Sequence, residues 1–271
     1  MLKTLAERFA RHFQHAVRRP LQEKWYNRYQ ATLGRDLSFS EAARAYPDRN
    51  ALHAYMHHYF RYLCPGEVRA HREYFRQDLR GFGEDAFHAM WWLLLREFKP
   101  GECLEIGVYR GQVISLWAVI AKLLGNTSSL HGISPFAAVG DSVGQYRSDI
   151  DYLTDTVHHF KRFNLSEPIL IRSLSNDAKA LEHIRGHAWD LVYIDGSHDY
   201  EVVLSDYRHC RDSLKAGGLL VLDDASAGTS FRPPLFSFAG HPGPSRVAAE
   251  VASKEMRLLG AVGHNNVFLK A

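Results

Sequence analysis

At 271 residues, with 46% hydrophobic and 23% charged side chains, the chain has the size and make-up of an ordinary soluble globular protein, either one large domain or one domain with a sizeable extension. A formal net charge of +3 is too small to argue for nucleic acid, and the sixteen histidines are scattered, so their number alone gives no metal signature. Cys64, Cys103 and Cys210 lie far apart without a CxxC pair, and no apolar run is long enough to cross a bilayer. This argues against a disulfide framework, a thiolate zinc site and a membrane anchor, and predicts a reducing, cytoplasmic setting.

The chain begins MLKTLAERFARHFQHAVRRP, which lacks the apolar core and cleavage site of a secretory signal. An Arg-rich amphipathic segment fits an organelle transit peptide or a surface helix, and Glu7 with the regular apolar spacing favours the helix. Residues 1–98 read as a helical region. Leu2, Leu5, Phe9 and Phe13 share one face, as do Tyr55, Tyr59 and Leu63, while Pro20, Pro47 and Pro65 punctuate the pattern. Such a region would cap a pocket or form an interface between copies of the chain.

From residue 99 to 271 the pattern changes. ECLEIGV reads as a buried strand and GQVISLWAVIAKLLG as a helix closed by Gly125. SLHGISPF, PILIRSL, WDLVYIDGS and GGLLVLDDA supply four more strands, and MRLLGAV and NVFLKA suit a terminal hairpin joined through GHNN. Strands alternating with helical segments predict an α/β fold: a doubly wound, mostly parallel, seven-stranded sheet of Rossmann-like type. Ligands of such sheets sit beyond the carboxyl ends of the strands, so the residues just past each strand matter most.

The first such turn is Glu105-Ile106-Gly107-Val108-Tyr109-Arg110-Gly111. Gly107 permits a tight turn and Gly111 a close backbone approach, and the helix behind them favours an anion at its N-terminus. The spacing is GxxxG with an acid two residues before the first glycine, rather than the GxGxxG of a dinucleotide site. That acid suits a ligand carrying an ammonium group. A plain strand-to-helix turn would also need these glycines.

LEIGVYRG resembles the first motif of class I S-adenosylmethionine-dependent methyltransferases, and the likeness extends over about residues 85–271. The resemblance implies that Glu105, Gly107, Tyr109 and Gly111 hold the methionine end of S-adenosyl-L-methionine. It places Ser175, Asn176 and Asp177 of SLSND where the family packs adenine, although these residues also suit a helix N-cap. In the family an acid at the end of strand two binds the ribose hydroxyls. Here Ser134 stands at that position and can accept one bond but not a charged pair. Asp141, a few residues on, is the alternative.

The last two parallel strands end in Asp195 and in Asp223-Asp224. A strand, a crossover helix and a parallel strand bring both ends to one edge, so the three carboxylates should converge. Converging carboxylates repel and raise each other's pKa unless a positive charge lies between them. An all-oxygen set of Asp195, Asp223 and Asp224 suits magnesium or manganese. One or two of these residues could instead cap helices or close loops.

His198 follows Asp195 by three residues. DGSHDYE and GGLLVLDD resemble metal-dependent O-methyltransferases, and are closest to the macrolide-sugar (mycinamicin and macrocin) type, which places His at the base position and Asp-Asp after the next strand. That resemblance implies Asp195 among both cofactor contacts and metal ligands, His198 as general base, and a hydroxylated small molecule as acceptor, with neither nucleic acid nor membrane as partner. The Gly-, Pro- and aromatic-rich segment 225–246 reads as an irregular loop. In it Phe231, Phe236, Phe238 and His241 would line the acceptor pocket or anchor the loop. Two rivals remain: a metal-independent methyltransferase of another acceptor class, and a non-catalytic protein that keeps the cofactor fold.

Overall fold

The computed structural model describes residues 19–139, 146–147, 149–235 and 237–271. The face of Leu2, Leu5, Phe9 and Phe13, together with Asp141 and Phe236, lies outside them. The chain opens with α1 (Arg19–Tyr26), α2 (Phe39–Ala45), α3 (Arg49–Tyr62), α4 (Gly66–Arg76) and α5 (Asp85–Phe98). Ser38 starts α2 with a capping box to Glu41, and Asp48 caps α3 by accepting from the Ala51 N–H. Each satisfies a helix-end donor that has no partner within the helix. Pro20 lies within the helical residues of α1 and does not break them. Tyr55 and Tyr59 are buried as expected, but Leu63 is the C-cap of α3 and is exposed.

The rest alternates: β1 (Glu102–Ile106), α6 (Gln112–Leu124), β2 (Ser129–Ser134), α7 (Tyr152–Arg162), β3 (Ile169–Arg172), α8 (Ala178–Arg185), β4 (Trp189–Ile194), α9 (Tyr200–Ser213), β5 (Leu214–Leu222) and α10 (Pro242–Val247). A π-helical turn and a short α11 (Ser253–Glu255) lead to β6 (Arg257–Val262) and β7 (Asn265–Leu269). The seven strands lie in the order β3-β2-β1-β4-β5-β7-β6. All neighbours are parallel except β7, which runs antiparallel to both β5 and β6. The Rossmann-like sheet and the terminal hairpin are those the sequence predicts.

The period of two divides the strands between two cores. Cys103, Leu191, Tyr193, Leu219 and Val221 face α3, α5 and α6, while Leu104, Val192, Ile194, Leu220 and Leu222 face α8 and α9. Trp91 of α5 meets Trp117 of α6 edge-on at 5.1 Å and Tyr193 of β4 at 5.0 Å. Each such pair adds about 0.5–1.5 kcal/mol beyond the area it buries, so the N-terminal helices and the sheet share one core.

Two elements differ from expectation. The helix α7 went unread because its buried face, Tyr152, Thr156, His159 and Phe160, mixes polar with apolar residues at helical spacing. The segment expected to be a loop to residue 246 turns helical at Pro242, whose fixed φ suits a first helical position.

Candidate active site

Hydrogen bonds hold the carboxyl ends of the central strands level. Gly107 N donates to Ile133 O at 2.9 Å, Asp195 N to Ile106 O at 2.8 Å, and Asp223 N to Ile194 O at 3.1 Å. Gly107 has φ +98°, and a Cβ built there would overlap the Asp195 carbonyl. The glycine is therefore required by the neighbouring strand end as well as by its own turn. Gly111 caps α6 at φ +76°, with Thr156 filling the space a side chain would need.

Glu105 sits just before this turn and is 3% exposed. Burial pushes its pKa up to about 8, against a partly compensating hydrogen bond from the Ile114 N–H. Its Oε2 is buried and has no hydrogen-bond partner among the described residues. A buried carboxylate oxygen left without a donor is costly, and it marks a place where a cationic group belongs. This fits the ammonium of an amino-acid moiety.

The other candidates for this half of the site have the following surroundings. Tyr109 packs against Phe82, Tyr146 and Tyr152 at 5.1, 6.3 and 5.2 Å. Ser134 is buried, and its hydroxyl accepts from the Phe136 N–H at 3.4 Å. Ser175 donates to the buried Asp206 at 3.0 Å, and Asn176 is exposed. Asp177 is the N-cap of α8, but its carboxylate reaches back to Ser173 Oγ at 3.0 Å and the Leu174 N–H at 3.1 Å.

Asp195, Asp223 and Asp224 do meet at the ends of β4 and β5. A cleft beside them is lined by Ile194, Asp195, Gly196, Ser197, His198, Val203, Asp223, Asp224 and Pro244. Asp195 and Asp223 share a hydrogen bond, and burial with the charge of Asp223 drives the Asp195 pKa well up. Asp223 is held down at about 2: burial opposes this, and the charge and hydrogen bond of His264 outweigh burial.

His264 is the residue that sequence reasoning missed. It occupies the β6–β7 turn, where its Nδ1 lies 2.9 Å from Asp223 Oδ1 and 3.1 Å from Asp224 Oδ1. Burial would lower its pKa, but Asp223, Asp224 and Glu84 raise it to about 9. The imidazolium therefore supplies positive charge that three aspartates demand. Its signal lay in the predicted hairpin. A strand antiparallel to β5 begins beside the end of β5, so GHNN had to fall next to Asp223-Asp224.

His198 Nε2 lies 2.9 Å from Asp224 Oδ2, and His241 Nε2 lies 3.9 Å from the same oxygen. The two imidazoles are 4.1 Å apart, centre to centre. Asp224 itself has φ +51°, outside the usual range for a residue with a side chain. Its carbonyl accepts from His241 N at 2.8 Å, and the Ala225 N–H donates to His264 O at 2.8 Å, so both flanks are clamped.

The N-terminal helices reach this cluster. Arg49 of α3 donates to Gly263 O at 2.8 Å and to Asn266 Oδ1 at 2.6 Å, and Asn50 bonds Ser230 O and Arg232 N of the 225–240 segment. Phe231 is buried against His53 of α3, while Phe238 is half exposed and packs on His241 at 4.8 Å. No helix among the described residues is long and apolar enough to cross a membrane.

Residues 104–225 match a family described as a methyltransferase domain, and this segment carries the Glu105 turn and all three aspartates. A curated relative, an uncharacterised protein of Acanthamoeba polyphaga mimivirus, is 26% identical over 125 residues, which are 45% of this chain and 50% of the relative. The match thus spans about half the relative's length. Among solved structures, an S-adenosylhomocysteine-bound methyltransferase of Podospora anserina superposes with a TM-score of 0.57 at 16% identity, covering 88% of this chain and 100% of that one. An O-methyltransferase of Bacillus cereus bound to S-adenosylhomocysteine gives a TM-score of 0.52 at 15% identity over 78% and 95% of the two chains. These structures share the fold. The family match makes residues 104–225 similar to a methyltransferase domain.

Proposed function

From that similarity we propose that the protein transfers a methyl group from S-adenosyl-L-methionine to a hydroxyl of a small molecule, such as a sugar or a glycosylated natural product. The observation that carries this reading is a pairing at one sheet edge: Glu105, whose Oε2 has no hydrogen-bond partner among the described residues, lies two residues before Gly107, and a histidine–aspartate cluster ends the neighbouring strands. When bound, the cofactor supplies the methyl group as a sulfonium.

Glu105 would take the ammonium of the cofactor's methionine end, and Gly107 keeps the floor of that site free of a side chain. His198, held by Asp224 through Nε2, would take the acceptor proton. The role of Asp224 resembles that of an aspartate that fixes the tautomer of a catalytic histidine. The segment 225–240, tied down by Asn50, would cover the acceptor side.

A divalent cation, magnesium or manganese, held by Asp195, Asp223 and Asp224 would belong at this edge: Asp223 and Asp224 with His264, and Asp224 with His198 and His241, each bring their donor atoms within 4.8 Å of one another. Such an ion, held by the three carboxylates, would acidify the acceptor hydroxyl. A second reading is favoured by His264, whose imidazolium would serve as the resident cation of a metal-independent enzyme. The test is transfer of an isotope-labelled methyl group to a panel of sugars, phenols and macrolides, with chelator or with added magnesium. Transfer to oxygen that chelator abolishes and magnesium restores supports the metal-assisted reading. Full activity in chelator selects the second, and no transfer to any hydroxyl overturns O-methylation.

A further inference from the structure

A second constellation lies on the opposite edge of the sheet, near the amino ends of β2 and β4. His131 of β2, His183 in the last turn of α8 and His187 just before β4 each turn one ring nitrogen toward a common point, and the three atoms lie within 4.8 Å of one another. Neither the cofactor turn nor the aspartate cluster touches them. We propose that His131, His183 and His187 form a binding site for a late divalent transition-metal ion of the nickel or copper class, separate from the candidate active site.

The hydrogen bonds around the three rings select which nitrogens face the common point. His131 Nε2 lies 2.7 Å from Ser129 Oγ and 3.4 Å from the Glu102 carboxylate, so the inward atom is Nδ1. His187 Nδ1 lies 2.9 Å from the His183 carbonyl, to which it can only donate, so Nε2 carries the lone pair. Outer-sphere acceptors of this kind fix the tautomer of metal-binding histidines and raise their basicity. His183 presents Nε2, 2.9 Å from His131 Nδ1.

In the ion's absence this contact is an N–H···N hydrogen bond, which a bound ion would replace. Imidazole donors suit nickel and copper, and copper binds most tightly in the divalent series. His183 and His187 are only partly buried, which leaves a path from solvent.

Trp189 provides a reporter, since His187 stacks on its indole at 4.8 Å and 24°. The untagged full chain, stripped with chelator and dialysed, would be titrated with nickel or copper chloride by calorimetry and by tryptophan fluorescence. Wild type should bind one equivalent more than the His183→Gln/His187→Gln variant, and copper should quench a share of the emission that the variant retains. Methyl transfer should be equal in the two proteins. If the double variant unfolds, His187→Gln alone should weaken that equivalent at least tenfold. Equal stoichiometry and affinity in wild type and variants, or no ion bound by wild type, would overturn the proposal and leave the three rings as packing.

Discussion

The two halves of the carboxyl edge handle buried charge in opposite ways. On the β1 side, Glu105 has an oxygen with no partner among the described residues and a pKa raised to about 8. On the β4–β5 side, three aspartates are compensated from within, by a shared hydrogen bond, by His264 and by His198. A charge left unpaid inside a fold points to a ligand that completes it. Charges balanced internally point to groups held ready for chemistry before any ligand arrives.

The largest expected effect comes from removing the boundary between the halves. Gly107→Val sets a β-branched residue at φ +98° with its Cβ overlapping the Asp195 carbonyl. It should cost about 3 kcal/mol or more, lower the melting temperature by on the order of 10 °C, and abolish cofactor binding. A variant that melts with the wild type and binds S-adenosylhomocysteine would show that the two strand ends are not in contact as described.

Next is His198→Ala, which acts on the second half alone. Turnover should fall about 10²- to 10⁴-fold while cofactor affinity is unchanged, since no cofactor contact needs the imidazole. The wild-type rate should rise with pH through one ionisation, because only the neutral ring accepts a proton. Wild-type turnover in the variant would remove His198 from the chemistry.

A smaller effect tests the internal compensation. His264 has a folded pKa of about 9 against an ordinary 6.5, so its contribution to stability is fully present below 6.5 and is lost as pH rises through 9. Asp223, held at about 2, contributes above its ordinary 3.8 and loses that contribution as pH falls toward 2. In chelator, wild type should lose about 1–3 kcal/mol of stability between pH 6.5 and 9, and His264→Gln should lose much less over that range. Parallel pH–stability curves from denaturant melts would mean that His264 is not the compensating cation.

Much of the architecture was legible because the strands are short Leu-, Ile- and Val-rich runs closed by glycine and aspartate. The aspartate cluster was legible too, since parallel connection fixes which strand ends share an edge. His264 was not: its role depends on an antiparallel hairpin folding back beside β5, a long-range pairing that no local spacing encodes. Ser175 and Asp177 stand where the resemblance puts adenine contacts, and only the fold reveals their bonds to Asp206, Ser173 and Leu174. The imidazoles of His131, His183 and His187 are separated by up to 56 residues and meet only because α8 runs back to the amino edge of the sheet.

The most direct measurement is calorimetric binding of S-adenosylhomocysteine at pH 7 in two buffers of different ionisation enthalpy, for wild type and Glu105→Gln. An ammonium placed on Glu105 requires the carboxylate, and the free protein holds that group mostly protonated below about 8. Wild type should therefore bind with release of a fraction of a proton, visible as a buffer-dependent heat. Glu105→Gln should bind about 10- to 100-fold more weakly and lose that part of the dependence. No binding by wild type, or equal affinity and equal proton release in the two proteins, would contradict the assignment of the uncompensated carboxylate to the cofactor.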